Sequence, residues 1–334
     1  MSSFDSHPKV ELHLHLDGAL RTATLFDMAT TFGLSMPHGG IEAFDSLVRA
    51  SPDCTSLEQF LKPFDVIAPI LSHPDTLIRA TREVIEDLHA QHVIHAELRF
   101  AASLMTGPKR PLEAVVEEAL TGLHQGTSQT GMSAGIILCV FRIGSVDEAL
   151  HTARVAARYR DRGVVGIDLA GPEAAPARPY YEAFRLARDA GLGITLHAGE
   201  ACGPENIREA IDLFGATRIG HGLTLERDLR LMRQVIDQDI AIESCPTSNI
   251  HTGQIRSLAE HPFRRYLDAG VAITLSTDDP SLSRITLNGE WENCRRAFGL
   301  DAMDFDRINE NAIRHAFIPA SEKARFAKRL ERRP

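Results

Sequence analysis

The sequence predicts an α/β protein, a (β/α)8 TIM barrel with a helical insertion after the first strand and extra C-terminal helices. Three observations lead to this prediction. Eight short apolar runs have the composition of strands, and segments of helical periodicity separate them. From the second run onward they recur about every 25 to 40 residues, as βα units do. A doubly wound open sheet is the alternative.

The predicted strands are apolar runs bounded by polar or glycine-containing stretches. In chain order they cover residues 9–16, 93–100, 134–141, 164–171, 193–200, 218–222, 241–246 and 272–279. Helical patterns lie between them. Residues 75–92 repeat apolar side chains at helical spacing, whereas residues 111–126 begin with Pro and end with Gly, and residues 203–215 behave alike. Residues 320–333, rich in Lys and Arg, predict a closing helix.

The connection between the first two strands is far longer than one crossover helix. It contains an apolar helical stretch, residues 56–71, which we expect Pro63 and Pro69 to break. An insertion at this point of a barrel lies at the catalytic end, so it is expected to form a wall or lid; a purely stabilising helical layer is the alternative. Because no repeat or linker interrupts the chain, we expect one domain over residues 1–334.

Composition indicates a folded protein of the cytoplasm. Of 334 residues, 43% are hydrophobic, and a net charge of −9 disfavours nucleic acid as a partner. No apolar run approaches the ~18 residues of a membrane span, and the polar N-terminus does not resemble a signal peptide. The five cysteines are widely spaced and form no C-x-x-C pair, as expected of reduced cytosolic thiols.

Polar side chains collect at the C-terminal ends of the predicted strands. In a parallel barrel these ends converge on one rim, where active sites lie. Positions i and i+2 of a strand share a face, so the two histidines of the first strand would both point inward. The residues at these ends are His13, His15, Gly171, His197, Glu200, His221, Asp278 and Asp279.

Three imidazoles and one carboxylate form a ligand set that suits Zn²⁺. His13, His15, His197 and Asp278 would leave one position open for water, with iron and manganese as alternatives. Bound zinc lowers the pKa of water towards ~7, so hydrolysis is the natural chemistry. Satisfied core histidines are the alternative for the H-x-H motif taken alone, and the joint pattern favours the metal.

Three further positions complete the predicted catalytic group. Gly199 allows the chain to turn so that Glu200 reaches the site, where burial would raise its pKa into the range of a proton shuttle. His221, between two glycines, would act as a base or orient the water, with a fourth ligand or a loop residue as alternatives. One of the two adjacent acids, Asp278 and Asp279, would bind the metal and the other would face the substrate; a pair that caps a helix is the alternative.

Six motifs, in this order, resemble those of the adenosine deaminase family of the amidohydrolase superfamily: "PKVELHLHLDGAL", "DLAG", "HAGE", "RIGHG", "CPTSN" and "STDDP". The resemblance covers residues 8 to about 325. It implies a barrel that hydrolyses a 6-aminopurine to a 6-oxopurine and ammonia, with one zinc per chain. Binuclear relatives carry a lysine on the fourth strand, and "VVGIDLAG" has none, which favours a single metal.

The resemblance also implies a role for each matched residue. Zinc would be held by His13, His15, His197 and Asp278. Glu200 would donate a proton to purine N1, and His221 would assist the zinc-bound water, with Asp278 counted among the catalytic residues as well. Asp279 would meet N7, the Gly171 N–H would meet N3, and Asp17 would bond the ribose hydroxyl. The predicted substrate contacts are therefore His15, Asp17, Phe60, Leu61, Phe64, Gly171 and Asp279, with the three apolar ones on "SLEQFLKPF".

The expected partner is a small purine nucleoside, and two loops leave its identity open. The segment "FAASLM" follows the second strand where relatives often carry a proline, and "PEAAPARPYY" follows "DLAG" where many adenosine enzymes place an acid. Adenosine and 2′-deoxyadenosine are the first choice and 6-aminodeoxyfutalosine, of menaquinone synthesis, the next; adenine is third. A metal-dependent phosphoesterase and a non-catalytic binding protein are the interpretations from other classes.

Overall fold

The computed structural model describes residues 4–51 and 53–330, and within them eight parallel strands follow one another around a barrel in chain order. Each strand pairs in parallel with the next one along the chain. Their bounds are Lys9–His15 (β1), Val93–Phe100 (β2), Ser133–Phe141 (β3), Val164–Ala170 (β4), Gly193–Ala198 (β5), Arg218–His221 (β6), Ala241–Ser244 (β7) and Ala272–Leu275 (β8).

The barrel closes between its first and last strands. Leu14 forms a bridge with Asp278. The His15 N–H donates to the Asp278 carbonyl over 2.7 Å, and the Asp278 N–H donates to the His13 carbonyl over 2.9 Å. An open sheet would leave these two edges apart, so the (β/α)8 barrel is confirmed and the doubly wound alternative is wrong.

Helices surround the barrel and extend over its ends. In the described chain the α-helices are Thr22–Thr31 (α1), Gly40–Leu47 (α2), Leu57–Leu61 (α3), Phe64–Leu71 (α4), Thr76–Ala90 (α5), Leu112–Thr130 (α6), Val146–Arg158 (α7), Tyr181–Asp189 (α8), Pro204–Asp212 (α9), Leu229–Asp237 (α10), Pro246–His251 (α11), Phe263–Ala269 (α12), Pro280–Ser283 (α13), Leu287–Phe298 (α14), Ala302–His315 (α15) and Ala320–Leu330 (α16). The predicted insertion is confirmed as α1 to α4, and extra helices follow β8.

Two helix predictions were wrong in detail. Pro69 lies inside α4, near its end, where the missing N–H removes only one helical hydrogen bond; the break falls at Pro63 alone. Helix α6 does not end at Gly126 but continues to a left-handed Gly131. A Cβ at Gly126 would lie 2.9 Å from the Ile85 Cβ, so this glycine serves the close packing of α6 on α5.

The later strands end sooner than predicted. The backbone enters the left-handed region at Gly171 (φ 100°), at Gly199 (φ 71°) and at Asp278 (φ 64°), and a strand cannot continue through such a residue. Asp278 and Asp279 therefore lie on a loop after β8 rather than on a straight strand. These turns point polar side chains back over the barrel mouth.

Five further expectations concern the whole chain or its C-terminal end. No helix in the described ranges combines the length and the apolar character that crossing a bilayer requires. The five cysteines are free, as expected. The single domain over residues 1–334 and the cytoplasmic location stay predictions. The predicted helix 320–333 is present over Ala320–Leu330, and its residues 331–333 lie outside the described residues.

Candidate active site

Four imidazoles and one carboxylate meet at the C-terminal rim of the barrel. The Nε2 atoms of His13 and His15 each lie 3.2 Å from Nε2 of His197. Oδ1 of Asp278 lies 3.2 Å from His13 Nε2 and 3.3 Å from His15 Nε2. His221 is at the side of this group, with its Nε2 4.0 Å from Asp278 Oδ2. Ligand atoms of His13, His197, His221 and Asp278 all lie within 4.8 Å of one another.

The spacing of these donors fits a metal ion. Two ligands about 2.0–2.1 Å from a tetrahedral Zn²⁺ are about 3.3 Å apart. Four of the separations between donor atoms of His13, His15, His197 and Asp278 are 3.2 to 3.3 Å. Burial lowers the pKa of His15 to about 3, so its imidazole is in the neutral form that binds metals. The group is therefore a candidate metal site.

Buried carboxylates orient two of the imidazoles from behind. Nδ1 of His13 lies 2.7 Å from Glu243 Oε2, and Nδ1 of His197 lies 2.9 Å from Asp168 Oδ2. A carboxylate accepts a hydrogen bond, so each Nδ1 carries the proton and each Nε2 presents its lone pair to the rim. This carboxylate–imidazole arrangement is typical of metal-ligating histidines, and the sequence analysis did not identify either acid.

Those carboxylates belong to an ionic network in the barrel interior, formed by Glu97, Arg99, Asp168, Arg218 and Glu243, all with fully buried side chains. Arg99 contacts Glu243 over 2.8 Å and Asp168 over 3.2 Å, and Arg218 contacts Glu243 and Glu97 over 2.6 Å each. Burial opposes ionisation of Glu243, but the charges of Arg99 and Arg218 outweigh it and lower the pKa of that carboxyl. The network thus keeps ionised acceptors beneath the metal site.

Glu200 reaches the site as expected from the glycine before it. Strand β5 ends at Ala198, and Gly199 turns the chain so that Glu200 Oε2 lies 3.7 Å from His221 Nε2. Asn249 donates to the other oxygen, Oε1, over 3.1 Å. Burial raises the pKa of Glu200 to about 8, and the charge of Asp278 adds to the rise. A carboxyl that holds its proton at neutral pH can act as an acid.

Glu173 anchors the loop that carries Glu200. Its carboxylate accepts hydrogen bonds from four successive backbone N–H groups: those of Gly199, Glu200 (3.0 Å), Ala201 (2.7 Å) and Cys202 (2.9 Å). Consecutive N–H groups that point inward form a concave anion site, here filled by a side chain. Sequence reasoning missed this residue, although it lies in the loop after "DLAG" where the chain departs from many adenosine enzymes.

Replacing Glu173 by Gln is expected to lower kcat about 10- to 100-fold with the metal content unchanged, because one amide nitrogen would face backbone donors and displace Glu200. Steady-state kinetics and metal analysis of the variant measure both quantities. The exposed Glu182→Gln on α8 is the matched control. Wild-type kcat in Glu173→Gln would show that the loop keeps its shape without this anchor.

His221 adopts a left-handed conformation between two glycines, with φ 64° at His221 and 59° at Gly222. A Cβ at Gly220 would lie 2.8 Å from Cε1 of His13, so only glycine lets this backbone approach the imidazole. Nδ1 of His221 lies 3.0 Å from Nδ2 of Asn249. Burial lowers the pKa of His221 far below its usual value, and its ring is therefore neutral.

The two adjacent acids face different surroundings. Asp278 turns to the imidazoles and accepts a hydrogen bond from Ser248 Oγ over 2.6 Å. Asp279 precedes helix α13, yet its side chain makes no capping hydrogen bond among the described residues, so the capping alternative is wrong for it. Among residues 4–51 and 53–330, no hydrogen-bond partner is present for the buried Oδ1 atoms of Asp279 and Asp17. A Cβ on Gly18 would overlap the Asp279 carboxyl, and the glycine thus leaves room for it.

The insertion reaches the same rim as the site. Phe60 of α3 is 1% exposed, and its ring lies 6.4 Å from that of His251, at the end of the helix α11 that carries Asn249. Phe64 is half-buried at the start of α4, and Leu61 is 39% exposed. Gly171, with its left-handed backbone, ends β4 beside this mouth. The roles of these residues as substrate contacts stay predictions.

Comparison with known proteins identifies the family. A family model described as adenosine deaminase matches residues 8–333. The chain belongs to the adenosine deaminase family. Among curated members, the adenosine deaminase of Clostridium acetobutylicum is 34% identical over 97% of both chains. That of Shewanella loihica is 36% identical over 95% of this chain and 96% of its own.

Several solved structures share the fold over nearly their whole length. The adenine deaminase of Arthrobacter aurescens has a TM-score of 0.89 at 25% identity, covering 97% of this chain and 98% of its own. The N6-mAMP deaminase of Arabidopsis has a TM-score of 0.87 at 28% identity and 99% coverage of both chains. An amidohydrolase from Burkholderia ambifaria, solved with bound Zn, has a TM-score of 0.87 at 26% identity, covering 99% of this chain and 93% of its own.

Family membership decides the class of reaction. The chain is a hydrolase that acts on the C6 amino group of a purine, and the phosphoesterase and binding-protein interpretations are set aside. The family is metal-dependent, and the donor group described above provides a candidate site for the metal. Relatives differ in substrate, since adenosine, adenine and N6-mAMP deaminases all occur among them.

Proposed function

We propose that this enzyme deaminates adenosine and 2′-deoxyadenosine hydrolytically, releasing ammonia, with one Zn²⁺ per chain. The observation that carries the proposal is the largely buried Glu200 carboxyl, 3.7 Å from His221 Nε2, beside four donors spaced as metal ligands are. The curated relatives that match at 34% to 36% identity are adenosine deaminases, which favours adenosine over other 6-aminopurines.

The zinc would be held by His13, His15, His197 and Asp278. This set is supported by its donor spacing and by the carboxylates that fix the protons of two imidazoles on Nδ1. When bound, zinc supplies activated water for attack at the purine C6. His221 stays outside the set because its Nε2 lies 4.0 Å from the nearer oxygen of Asp278, longer than the separations within the set.

Glu200 would supply the proton that makes C6 electrophilic. Protonation at N1 withdraws electrons from the ring, and an acid whose pKa lies near the working pH transfers a proton with the least penalty. The raised pKa of Glu200, due to burial first and then to Asp278, places it in that range. His221 would stabilise charge that develops on the attacking oxygen.

Three polar groups would orient the purine and its sugar. The unpartnered Oδ1 atoms of Asp279 and Asp17 are buried polar atoms for which a ligand would supply the partner. We assign Asp279 to N7, Asp17 to the ribose and the Gly171 N–H to N3, with His15 at the edge of the substrate. Phe60, Leu61 and Phe64 would form the apolar wall.

Turnover of a substrate panel tests the proposal. The zinc-loaded protein is incubated with adenosine, 2′-deoxyadenosine, adenine, 6-aminodeoxyfutalosine and N6-methyl-AMP, and loss of the 6-aminopurine chromophore is followed together with amine release. We expect the highest kcat/KM for the first two compounds. A preference for any of the others by tenfold or more would replace adenosine as the substrate, and inactivity on all five would refute the deaminase proposal.

Adenine is the second candidate. Its support is the structural similarity to an adenine deaminase over 97% of this chain, with a TM-score of 0.89, and Pro172, which stands where many adenosine enzymes place an acid. The unpartnered Asp17 argues for the nucleoside, because a free base has no ribose to meet it. Replacing Asp17 by Ala separates the two: it should raise KM for adenosine and leave adenine turnover unaffected.

Removal of the metal is expected to abolish turnover and lower the midpoint of thermal unfolding, because a ligand that binds the folded state stabilises it. Dialysis against a chelator, followed by elemental analysis, activity assay and a thermal melt, measures all three quantities. One equivalent of Zn²⁺ should restore activity and midpoint together. Undiminished activity in protein that contains less than a tenth of an equivalent of metal would contradict the zinc assignment.

A further inference from the structure

A chain of hydrogen bonds runs from the main chain of α12 to the candidate active site. The Phe263 N–H donates to Nδ1 of His261 over 3.0 Å. A main-chain N–H can only donate, so Nδ1 carries no proton and the proton of this neutral imidazole is on Nε2. His261 is buried, and burial lowers its pKa to about 3, in agreement with a neutral ring.

The His261 proton fixes the orientation of the Asn249 amide. Nε2 of His261 faces Oδ1 of Asn249 at 3.4 Å, at the long end for a hydrogen bond. The opposite orientation would set the amide NH2 against the Nε2–H and the amide oxygen against a carboxyl oxygen of Glu200. In the observed orientation Nδ2 donates to Glu200 Oε1 over 3.1 Å and to His221 Nδ1 over 3.0 Å. Asn249 is fully buried, so water does not compete.

The two donations of Asn249 decide which atoms of the catalytic pair face the substrate. Because His221 Nδ1 accepts, the proton of that ring is on Nε2, which lies 3.7 Å from Glu200 Oε2 and 4.0 Å from Asp278 Oδ2. Oε1 of Glu200 accepts from Asn249 and also from Thr252 Oγ1 over 3.1 Å. A proton held by Glu200 therefore belongs on Oε2, the oxygen without these two donors.

We propose that His261 and Asn249 are positioning residues that fix His221 as a hydrogen-bond donor through Nε2 and Glu200 as an acid through Oε2. The inference rests on the proposed deamination. With its proton on Nε2, His221 does not take a proton from the attacking water; it donates to the oxygen as negative charge develops there. The "CPTSN" motif, to which the sequence analysis gave no role, supplies Asn249.

The position of the His221 proton can be measured without substrate. Long-range ¹H–¹⁵N correlation spectra of zinc-loaded enzyme with ¹⁵N-labelled histidine distinguish a protonated ring nitrogen from a bare one, and the His221→Gln variant assigns the signals. We expect a protonated Nε2 and a bare Nδ1. A protonated Nδ1 would overturn the proposal. Because this result needs no turnover, it stands apart from any failure of the proposed function.

Variants test the positioning role through a split between kcat and KM. Asn249→Asp keeps the size of the side chain, but its carboxylate can only accept hydrogen bonds, so the His221 proton should move to Nδ1. We expect kcat to fall about 100-fold, while KM stays within about threefold of the wild-type value. His261→Phe should lower kcat about tenfold by freeing the amide to flip. His261→Gln keeps an amide donor near the place of Nε2 and should recover most of that loss.

The exposed His124→Phe on α6 controls for replacing an imidazole by a ring of similar size, and zinc content is checked in every variant. A purely structural role for His261 would lower the yield of folded protein and leave kcat per folded, zinc-loaded molecule unchanged. That outcome, or a kcat within twofold of wild type in both Asn249→Asp and His261→Phe, would overturn the proposal. If either Asn249→Asp or His261→Phe fails to fold, the other variant and the proton position in the wild-type enzyme still test the proposal.

Discussion

Replacing Glu200 by Gln is expected to reduce kcat about 1,000-fold while the metal content stays at one equivalent per chain. The amide keeps the size of the side chain and can still meet Asn249, but it has no acidic proton to give to the purine. Binding of substrate should change little, because the ring loses one partner atom and not its pocket. Initial rates over a range of adenosine concentrations, with elemental analysis of the same sample, measure the effect.

Glu205→Gln is the matched control for this variant, since Glu205 is an exposed carboxylate in the first turn of α9, just beyond the Glu200 loop. It should keep wild-type kinetics. Wild-type activity in Glu200→Gln would remove Glu200 from its role as the acid. A loss of metal together with activity would instead indicate that Glu200 acts on the metal site.

Replacing Arg99 by Met is expected to lower the free energy of unfolding by about 3–5 kcal/mol, because Glu243 and Asp168 would be left buried without their shared counter-charge. The same change should weaken metal binding about 10- to 100-fold, since those two carboxylates orient His13 and His197. Urea denaturation measures the first effect, and competition with a chromogenic chelator measures the second.

The exposed Arg233→Met on α10 controls for loss of a guanidinium in general and should stay within about 0.5 kcal/mol of wild type. A second variant, Arg99→Lys, keeps a positive charge but loses the guanidinium group that contacts two carboxylates at once. Its free energy of unfolding should therefore lie between those of Arg99→Met and the wild type. Equal stability of Arg99→Met and wild type would show that the carboxylates protonate at little cost.

The sequence was sufficient to predict the barrel and the donors at its rim. His13 and His15 share a face because a strand repeats every two residues, and the parallel fold brings His197 and Asp278 to them from distant parts of the chain. Gly199 likewise signalled the turn that delivers Glu200. Each of these inferences used one local rule together with the common direction of the strands.

The residues behind the donors could not be predicted in the same way. Glu243 and Asp168 lie within apolar strands, where a single charged letter does not reveal which imidazole it meets or which arginine neutralises it. Glu173 acts on a main-chain turn whose shape has no period in the sequence, and the side-chain amide of Asn249 meets residues from two other segments of the chain. His261 makes its contact across a loop between two helices. These supporting residues are identified by three-dimensional packing, and most of them lie outside the family motifs.

The ionic network has a consequence for which ion the barrel accepts. Four carboxylates at or beneath the rim stand against two guanidinium groups, which leaves two negative charges in excess in a medium that screens them poorly. A divalent cation would make this set electroneutral, whereas a monovalent ion would leave a net negative charge and a trivalent ion would leave a net positive charge. Charge balance within this set therefore favours a divalent cation, and coordination geometry would discriminate among the divalent metals. The residues in this balance are Glu97, Asp168, Glu243, Asp278, Arg99 and Arg218.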